Sequence, residues 1–409
     1  MSTPLQSPWK TALAGFGPLA GATVLALVLL TVLGSTSGGA AEDLALGTGT
    51  KSLYASVDGA RIHCGDLWPD PPNRQADVCI DGATARDAGA YALWLGNSQI
   101  HSINQLEDGD QTAPRIVFDS LAARGLDLVT LSQPNANLQE HYLLFEYVQD
   151  RLPLDVLLLP VVFDDTREDG VRSRLHDAFE RPGVRASLLE TETGTELLER
   201  FGPSGGTAAP GGAPGASEGA TPGATDADLA ALDETVQEAT ETWLNDQLAE
   251  YSQTWAARPG YRSRLFGTLY RARNSVLGID PSTVRPLLPG PYAKNMAALG
   301  ALLDRARAAG VRVLIYVPPL RGDTDPPYVA SEYARFKQET AALAEQYGAA
   351  FADVEGIVPG PLWGMKASTN LSGKPEYDFM HFQAGGHVRL ADALIRALDT
   401  QVLAAEVAR

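Results

Sequence analysis

The chain has 409 residues, of which 44% are hydrophobic, enough for one large α/β domain with additions. Its formal net charge is −18 at pH 7, from 32 Lys and Arg residues against 50 Asp and Glu residues. Because no basic tract offsets this charge, it argues against binding to nucleic acid or to anionic lipid surfaces.

The N-terminal region has the pattern of a membrane anchor. Lys10 is followed by no charged residue until Glu42, and residues 11–34 are largely apolar. A helix over these positions would span about 36 Å, enough for the hydrocarbon core of a bilayer. A cleaved signal peptide is the alternative, since residues 37–41 offer a small-residue cleavage site. The length favours a retained anchor over residues 1–40. The charge bias predicts a cytoplasmic N-terminus and an extracytoplasmic, periplasmic remainder.

Two cysteines fit this placement. Cys64 and Cys79 are close in sequence, and in an oxidising compartment a disulfide between them would contribute up to ~3 kcal/mol. The alternative is a pair of free thiols. With two cysteines and no C-x-x-C motif, the sequence predicts no structural zinc site. Residues 41–88 are polar and rich in proline, and we interpret them as a lead-in lobe held by the disulfide.

Residues 89–180 alternate short apolar runs with helical stretches. This alternation predicts right-handed crossovers and a parallel sheet. The nearly continuous apolar run at 154–163 is typical of a strand covered on both faces. The predicted elements are strands at 91–95, 126–131 and 154–163 and helices at 114–124 and 138–149.

An insertion over residues 181–290 interrupts this pattern. Residues 203–225 are rich in Gly, Pro and Ala and predict a disordered loop. Residues 229–256 and 263–277 have helical character.

The pattern resumes over residues 291–409. Helices are predicted at 295–309, 331–347 and 385–403, and strands at 311–317 and 349–354. The fold class is therefore α/β, a three-layer α/β/α sandwich of about five parallel strands, with an N-terminal transmembrane helix and a helical insertion.

The run Tyr-Ala-Leu-Trp-Leu that begins at Tyr91 reads as a buried strand ending at Gly96-Asn97-Ser98. Gly96 allows a sharp turn. Ser98 would stand at the start of a helix, where free N–H groups can hold an oxyanion. The functional interpretation is an acyl-transfer nucleophile. The alternative is an ordinary turn in which Ser98 is an N-cap.

Ligands of such sheets bind at the carboxyl ends of the strands. The loop after the last strand carries Asp378 and His381, three residues apart and just before a helix. On one helical turn the carboxylate can orient the imidazole, whose other nitrogen can accept the proton of Ser98. The alternative is that Asp378 caps the helix and His381 packs below it.

The other histidines have less distinct patterns. His101, one turn beyond Ser98, lines the site or is an exposed helix residue, and the sequence leaves both open. His387 is interpreted as structural. The chain has no metal-ligand spacing of His, Asp or Glu and no glycine-rich phosphate loop, so no metal and no cofactor is expected.

Gly96-Asn97-Ser98 after the first strand, with Asp378-Phe379-Met380-His381 before the last helix, resembles the SGNH (GDSL-like) hydrolase superfamily. The resemblance covers roughly residues 89–180 and 290–405. It implies a flavodoxin-like fold and a catalytic triad of Ser98, Asp378 and His381.

A narrower resemblance rests on the anchor, the Pro-Pro-Leu-Arg turn at 318–321 and Asp-Phe-Met-His-Phe at 378–382. These features are similar to the membrane-anchored SGNH proteins of teichoic-acid D-alanylation and of alginate-type polysaccharide O-acetylation. That resemblance implies acyl transfer to a glycan or envelope polymer beside a membrane-bound O-acyltransferase. It also implies a location at the cell (inner) membrane.

Two departures from the superfamily concern the oxyanion hole. Its second block offers a glycine, whereas this loop has Asn135 and Asn137. Its third block offers Gly-x-Asn, whereas this chain has Phe163-Asp164-Asp165. A carboxylate at Asp164 would repel an oxyanion, so the expected donors are the amide of Ser98 with a side chain of Asn135 or Asn137, or Arg167.

Three functions remain open from sequence. The first is a membrane-anchored acyltransferase that forms an acyl-serine. The second is an esterase that removes acyl groups from a glycan or lipid. The third is a non-catalytic scaffold beside a membrane O-acyltransferase.

Overall fold

The structure is a computed structural model and describes residues 50–57, 60–64, 75–203 and 258–404. The predicted anchor at 11–34, the low-complexity segment from 204 onward and the predicted helix 229–256 lie outside these residues. None of the helices within the described ranges is long and apolar enough to cross a membrane.

The described residues contain twelve strands. In chain order they are β1 (Lys51–Ser52), β2 (Ser56–Val57), β3 (Ala60–Arg61), β4 (His63–Cys64), β5 (Tyr91–Gly96), β6 (Ser102–Ile103), β7 (Asp127–Ser132), β8 (Leu154–Pro160), β9 (Arg312–Val317), β10 (Ala350–Asp353), β11 (Trp363–Lys366) and β12 (Glu376–Phe382).

Ten α-helices lie in the same ranges. They are α1 (Gln75–Arg86), α2 (Ser98–His101), α3 (Ala113–Ala122), α4 (Leu138–Gln149), α5 (Pro182–Leu188), α6 (Glu192–Phe201), α7 (Arg258–Leu277), α8 (Pro289–Ala308), α9 (Ala330–Tyr347) and α10 (Ala384–Ala397). Short 3₁₀ turns at Asp165–Arg167, Ser173–Glu180, Glu355–Ile357 and Gly360–Leu362 and a π-helical turn at Leu398–Leu403 complete the list.

Six strands form one parallel sheet in the order β10-β9-β8-β5-β7-β4. Without the two-residue edge strand β4, the order by chain position is 2-1-3-4-5, that of flavodoxin-like doubly wound sheets. The strand order reverses at β5, so its carboxyl end lies at the topological switch point. The α/β class and the five predicted parallel strands are confirmed, and β4 adds a sixth.

Helices cover both faces of the sheet because successive strand side chains point to opposite sides. In β5, Leu93 and Leu95 join one buried cluster, whereas Ala92 and Trp94 join the other. Helices α4, α8 and α9 contribute to the first cluster, and helices α3 and α10 contribute to the second. Both faces of the sheet are therefore buried, as the apolar strands predicted.

The segment interpreted as a lead-in lobe contributes to this sheet. His63 and Cys64 pair in parallel with Thr130 and Leu131 of β7. A disulfide joins Cys64 to Cys79 on α1, and both cysteines are fully buried. The predicted disulfide is confirmed, and it ties the edge strand to a helix that packs on the sheet.

The described residues fall into two compact units. One contains residues 258–279 and 369–373, and the other contains the remainder. In the first, the side chain of Asn274 donates to the carbonyl of Thr369 at 2.9 Å, and the hydroxyl of Ser275 accepts from the amide of Leu371 at 2.7 Å. The sheet and the candidate site belong to the second unit.

Candidate active site

Ser98 begins the four-residue helix α2, directly after the switch-point strand β5. The side chain of Asn97 caps this helix, because its Oδ1 accepts the N–H of Gln99 at 3.0 Å. Ser98 is therefore the first helical residue rather than the cap, and helix geometry gives its amide no intrahelical acceptor. Ser98 is 7% exposed, so its hydroxyl lies within the protein at the edge where ligands of such sheets bind.

Gly96 is required by packing and not by backbone conformation. Its φ is not among the positive values found in the described residues, so the left-handed turn that a glycine permits is not used here. A Cβ at this position would lie 2.3 Å from Cδ1 and 2.9 Å from Cγ1 of Ile100. The side chain of Ile100 thus occupies the space that a Cβ on residue 96 would need.

Asp378 and His381 lie on strand β12 and not on the helical turn that their spacing suggested. Oδ1 of Asp378 accepts the main-chain N–H groups of Met380 and His381, each at 2.9 Å. Such bonds from a side chain to the main chain a few residues ahead are common for Asp. Nδ1 of His381 lies 3.0 Å from Oδ2 of Asp378. The predicted pair therefore meets, but through an Asx-type turn.

The ring of His381 joins this pair to Ser98. Its Nε2 lies 2.9 Å from Oγ of Ser98. A carboxylate can only accept, so Nδ1–H donates to Asp378, and Nε2 then accepts the hydroxyl hydrogen of Ser98. This is the protonation pattern in which a histidine can act as general base toward a serine nucleophile.

The carboxylate of Asp378 is buried, with 2% of the residue exposed. Burial alone would raise its pKa, but the charge of His381 and the hydrogen bonds from His381 and from the two backbone amides together lower the pKa below its usual value. The side chain of Asn104 supplies a further donor, with Nδ2 3.3 Å from Oδ2 of Asp378. Asp378 therefore stays ionised and faces the imidazole.

Asn104 was not identified from the sequence. It holds the hairpin of β11 and β12 in two ways. Its main-chain N–H donates to the carbonyl of Phe382 at 3.0 Å, and its side-chain Nδ2 donates to the carbonyl of Met365 at 3.1 Å. A Cβ on Gly364 would lie about 2 Å from the Asn104 side chain (1.9 to 2.1 Å). A lone Asn and a lone Gly carry no pattern in sequence, which is why this pair was missed.

The turn at 318–321 also supports the hairpin. The guanidinium of Arg321 donates to the carbonyl of Gly364 at 2.7 Å and to both carboxylate oxygens of Asp323. It stacks on the ring of Tyr377 at 4.2 Å. In the same turn, the carbonyl of Pro319 accepts the side chain of Gln99 at 2.8 Å. The turn therefore contacts both segments that carry the Ser98–His381 pair.

An apolar pocket lies at the carboxyl ends of β8 and β9. Its walls are the residues that follow these strands, the rings of Tyr328 and Tyr333, and the side chain of Met380. Met380 lies between Asp378 and His381 in the chain. Pro319 also lines the pocket, and its carbonyl accepts the side chain of Gln99, the residue after Ser98. The pocket thus adjoins the chain segments on both sides of the Ser98–His381 contact.

Two of the three side chains expected to complete an oxyanion hole have other partners. Asn135 is exposed, with φ 52°. Asn137 caps α4, accepting from Glu140 at 3.0 Å and donating to Gly170 at 2.8 Å. The guanidinium of Arg167 lies 3.7 Å from Asp164. The side chain of Asn137 and the guanidinium of Arg167 are therefore engaged elsewhere, contrary to the expectation, whereas a role for the exposed side chain of Asn135 stays a prediction.

The two acids of the third block differ in their surroundings. Asp164 pairs with Arg285 at 2.6 Å and accepts the hydroxyl of Tyr328 at 3.1 Å. Asp165 instead accepts Nδ2–H of Asn97 at 2.8 Å. The carboxyl group that contacts the residue before Ser98 is therefore that of Asp165, whereas the sequence analysis considered Asp164.

His101 is buried, with 1% of the residue exposed, so the exposed alternative is wrong. Its Nδ1 lies 2.7 Å from Oγ of Ser132, and Nε2 of His63 lies 2.7 Å from the same oxygen. Burial and the charges of His381 and His387 lower the pKa of His101 to about 3. His101 is thus a neutral member of a buried cluster and has no hydrogen bond to Ser98.

His387 is structural, as expected. It accepts the amide hydrogen of Ala113 at Nδ1 and donates from Nε2 to the carbonyl of Ser102, each at 3.2 Å. These two bonds join α10 to α3 and β6. In the described part of the chain, no group of three or more His, Cys, Asp or Glu side chains is arranged to hold a metal ion.

Comparisons with known proteins give little further information. No protein-family model matches the chain, and no curated protein matches it. Among solved structures, it is similar to a "putative acylhydrolase" from Bacteroides fragilis, with a TM-score of 0.31, 10% identity, and coverage of 82% of this chain and 91% of that chain. It is also similar to an alpha/beta hydrolase enzyme from the metagenome of Lake Arreo, Spain, with a TM-score of 0.35, 11% identity, and coverage of 76% and 94%. At these values the likeness assigns neither family nor function.

Proposed function

We propose that this chain is an SGNH-type serine acyltransferase that acts through an acyl-serine at Ser98. The observation that carries the proposal is the continuous hydrogen-bonded chain from Ser98 through His381 to Asp378, with contacts of 2.9 and 3.0 Å. A serine hydroxyl is a weak nucleophile at neutral pH unless an adjacent base accepts its proton. Here a base is in place, and a buried carboxylate orients it.

The chemistry has two halves. Oγ of Ser98 attacks the carbonyl carbon of an acyl donor while Nε2 of His381 takes the hydroxyl proton, and the donor's leaving oxygen then receives that proton. The acyl-serine is next attacked by an acceptor hydroxyl, whose proton passes through His381 back to Oγ of Ser98. Asp378 stabilises the imidazolium in both halves and is not itself protonated.

We propose an acetyl-like acyl group and a cell-envelope or secreted polysaccharide as its acceptor. The resemblance to SGNH proteins of polysaccharide acylation supports this acceptor class. The buried Cys64–Cys79 disulfide supports an oxidising, extracytoplasmic compartment. The apolar run at 11–34 supports attachment to the cell (inner) membrane, and a membrane-bound O-acyltransferase is the proposed partner that supplies the acyl group.

An esterase that deacylates a glycan or lipid shares every step up to the acyl-serine. The two functions differ in whether water or a sugar hydroxyl accepts the acyl group. The purified external part of the chain is incubated with an activated acetyl ester and an oligosaccharide. A transferase yields acetylated oligosaccharide by mass spectrometry, whereas an esterase yields acetate alone.

A fluorophosphonate probe separates both enzymes from a scaffold, because only an activated serine reacts with it. Wild-type protein should be labelled, and Ser98→Ala should not. Ser102→Ala is the matched control, since Ser102 is also buried and its hydroxyl has no partner among the described residues. Labelling that persists in Ser98→Ala with the fold intact would contradict the proposal, and absence of labelling in the wild type would favour the scaffold.

A further inference from the structure

Asp165 is a buried acid that contacts the residue before the proposed nucleophile, and the mechanism above does not use it. It is the first residue of the 3₁₀ turn that follows β8. Strand β8 lies beside β5 in the sheet, so this turn lies near the switch point. Its Oδ2 accepts Nδ2–H of Asn97 at 2.8 Å, and Asn97 immediately precedes Ser98. Asp165 is 5% exposed and Asn97 is 3% exposed, so this contact is nearly excluded from solvent.

This hydrogen bond fixes the orientation of the Asn97 amide. Because Nδ2 is held by Asp165, Oδ1 faces the opposite way and accepts the N–H of Gln99 at 3.0 Å. That second bond caps α2, whose first residue is Ser98. Asp165 therefore acts on the position of Ser98 through one intermediate side chain.

Among the described residues, no cation forms a direct ion pair with the carboxyl group of Asp165, although the charge of Arg172 acts on it. In the same part of the chain, no hydrogen bond engages its Oδ1. The nearby cations are used elsewhere: Arg172 pairs with Glu140 at 2.9 Å, and Arg285 pairs with Asp164 at 2.6 Å. A buried, unpaired carboxylate is costly, so such a group favours its neutral form.

The surroundings of Asp165 agree with this expectation. Burial raises its pKa well above the usual value, and the neighbouring charges of Asp164 and Glu140 add to the rise. The hydrogen bond from Asn97 and the charge of Arg172 oppose the rise but do not cancel it. The charged or titratable groups around Asp165 are Asp164, Arg172, Glu140 and Tyr328.

We propose that Asp165 is a positioning residue that works as a neutral carboxylic acid, holding Asn97 and keeping negative charge away from the oxyanion formed at Ser98. A neutral acid still accepts the Asn97 hydrogen bond through its carbonyl oxygen. An ionised Asp165 would hold Asn97 equally well, but its charge would oppose the charge that develops on the substrate oxygen. Acylation should therefore slow when Asp165 ionises.

The kinetic test is the pH dependence of kcat/KM for an activated ester, and it rests on the proposed function. Wild-type activity should fall about ten-fold per pH unit above the pKa of Asp165. Asp165→Asn keeps the acceptor oxygen and cannot ionise, so it should restore activity on the alkaline side. Asp165→Ala leaves Nδ2 of Asn97 without a partner and should lower kcat on the order of ten-fold at all pH values.

Asp164→Asn is the matched control, because Asp164 occupies the same strand end but has its own cationic partner. It should retain an alkaline decline, which should begin at lower pH than in the wild type because the charge of Asp164 helps to raise the pKa of Asp165. A decline that is unchanged in Asp165→Asn, or lost in Asp164→Asn, would overturn the positioning role.

An infrared measurement tests the protonation of Asp165 without relying on activity. The C=O stretching band of a protonated carboxyl group should be present at neutral pH in the wild type and reduced in Asp165→Asn. If no such difference is seen, the proposal is wrong whether or not Ser98 is a nucleophile. If the band is present but no variant shows esterase activity, the failure lies in the proposed function, and the neutral acid stands as a structural feature only.

Discussion

Replacing Asp378 by Asn tests the proposed triad most directly, because the structure determines how the new amide must turn. Oδ1 of Asp378 accepts two main-chain N–H groups, whereas Oδ2 accepts from His381 and Asn104. An Asn side chain keeps both main-chain bonds only with its oxygen at the Oδ1 position. Its NH₂ group then occupies the Oδ2 position and faces Nδ1 of His381.

The size of the effect follows from this orientation. The opposite orientation would place the NH₂ group against two main-chain N–H donors, which cannot rearrange, and would lose about 1 kcal/mol for each of these bonds. It is disfavoured because Nδ1 of His381, unlike a main-chain N–H, can become an acceptor. Facing an NH₂ group, Nδ1 of His381 must become an acceptor, and the ring proton moves to Nε2. Nε2 can then no longer accept the proton of Ser98. We expect kcat to fall by about 10³ to 10⁴, or about 4 to 5 kcal/mol of transition-state stabilisation.

The assay is release of the leaving group from an activated acetyl ester, read together with fluorophosphonate labelling of Ser98. Circular dichroism and the thermal midpoint establish that each variant is folded. Asp353→Asn is the matched control, since Asp353 also lies on a strand but is exposed and binds Lys337 at 3.2 Å. It should leave turnover unchanged.

Turnover of Asp378→Asn within ten-fold of the wild type would refute the tautomer argument. The same conclusion would follow if His381→Ala were active while Ser98→Ala was inactive, since another group would then serve as base. Ser98→Ala and the double variant with His381→Ala should have equal residual activity, because loss of one member already disables the other.

Three further predictions concern stability. Gly96→Ala should cost about 1 to 3 kcal/mol through the 2.3 Å contact with Ile100, and Ile100→Ala should cost less in that background than in the wild type; additive effects in urea unfolding would contradict this contact. Reducing the Cys64–Cys79 disulfide should lower stability by up to ~3 kcal/mol, and alkylation of both thiols before reduction would contradict the pairing. The pKa of His101 is lowered to about 3 in the folded protein, so between pH 6.5 and pH 3 the imidazole is protonated in the unfolded chain but not in the folded chain. The contribution of His101 to stability is therefore complete above pH 6.5 and is lost as the pH falls toward 3, at about 1.4 kcal/mol per pH unit. His101→Gln should therefore show a weaker pH dependence in urea unfolding between pH 7 and pH 4, and an unchanged slope would contradict a neutral buried imidazole.

Much of the sheet could be predicted because its strands are apolar on both faces. The runs beginning at Tyr91, Leu126 and Leu154 have a period and length that leave few alternatives, and each became a parallel strand. The edge strand β4 was missed because two residues carry no periodicity. Helix α8 begins at Pro289, six residues before the predicted start at 295, because proline is tolerated in the first turn of a helix.

The site was predictable where its residues lie close in the chain and not where distant segments meet. Asp378 and His381 are three residues apart, so their contact follows from spacing, although the turn type did not. Asn104 and Asp378 are 274 residues apart in the sequence, and no local sequence pattern predicts such a contact. The same holds for Asp165, whose role depends on Asn97, 68 residues away in sequence.

The general base and the carboxylate that orients it lie on the same hairpin, while the serine lies on the helix that follows strand β5 of the sheet. The contact between His381 and Asp378 is set within four residues and does not depend on how the hairpin docks. The distance from Nε2 to Oγ of Ser98 does depend on docking, which Arg321 and Asn104 maintain. A small displacement of the hairpin would lengthen the distance from Nε2 of His381 to Oγ of Ser98 and so interrupt proton transfer. The contact between His381 and Asp378 would be kept, and with it the tautomer of the imidazole. The position of the hairpin therefore controls whether the base can reach the nucleophile.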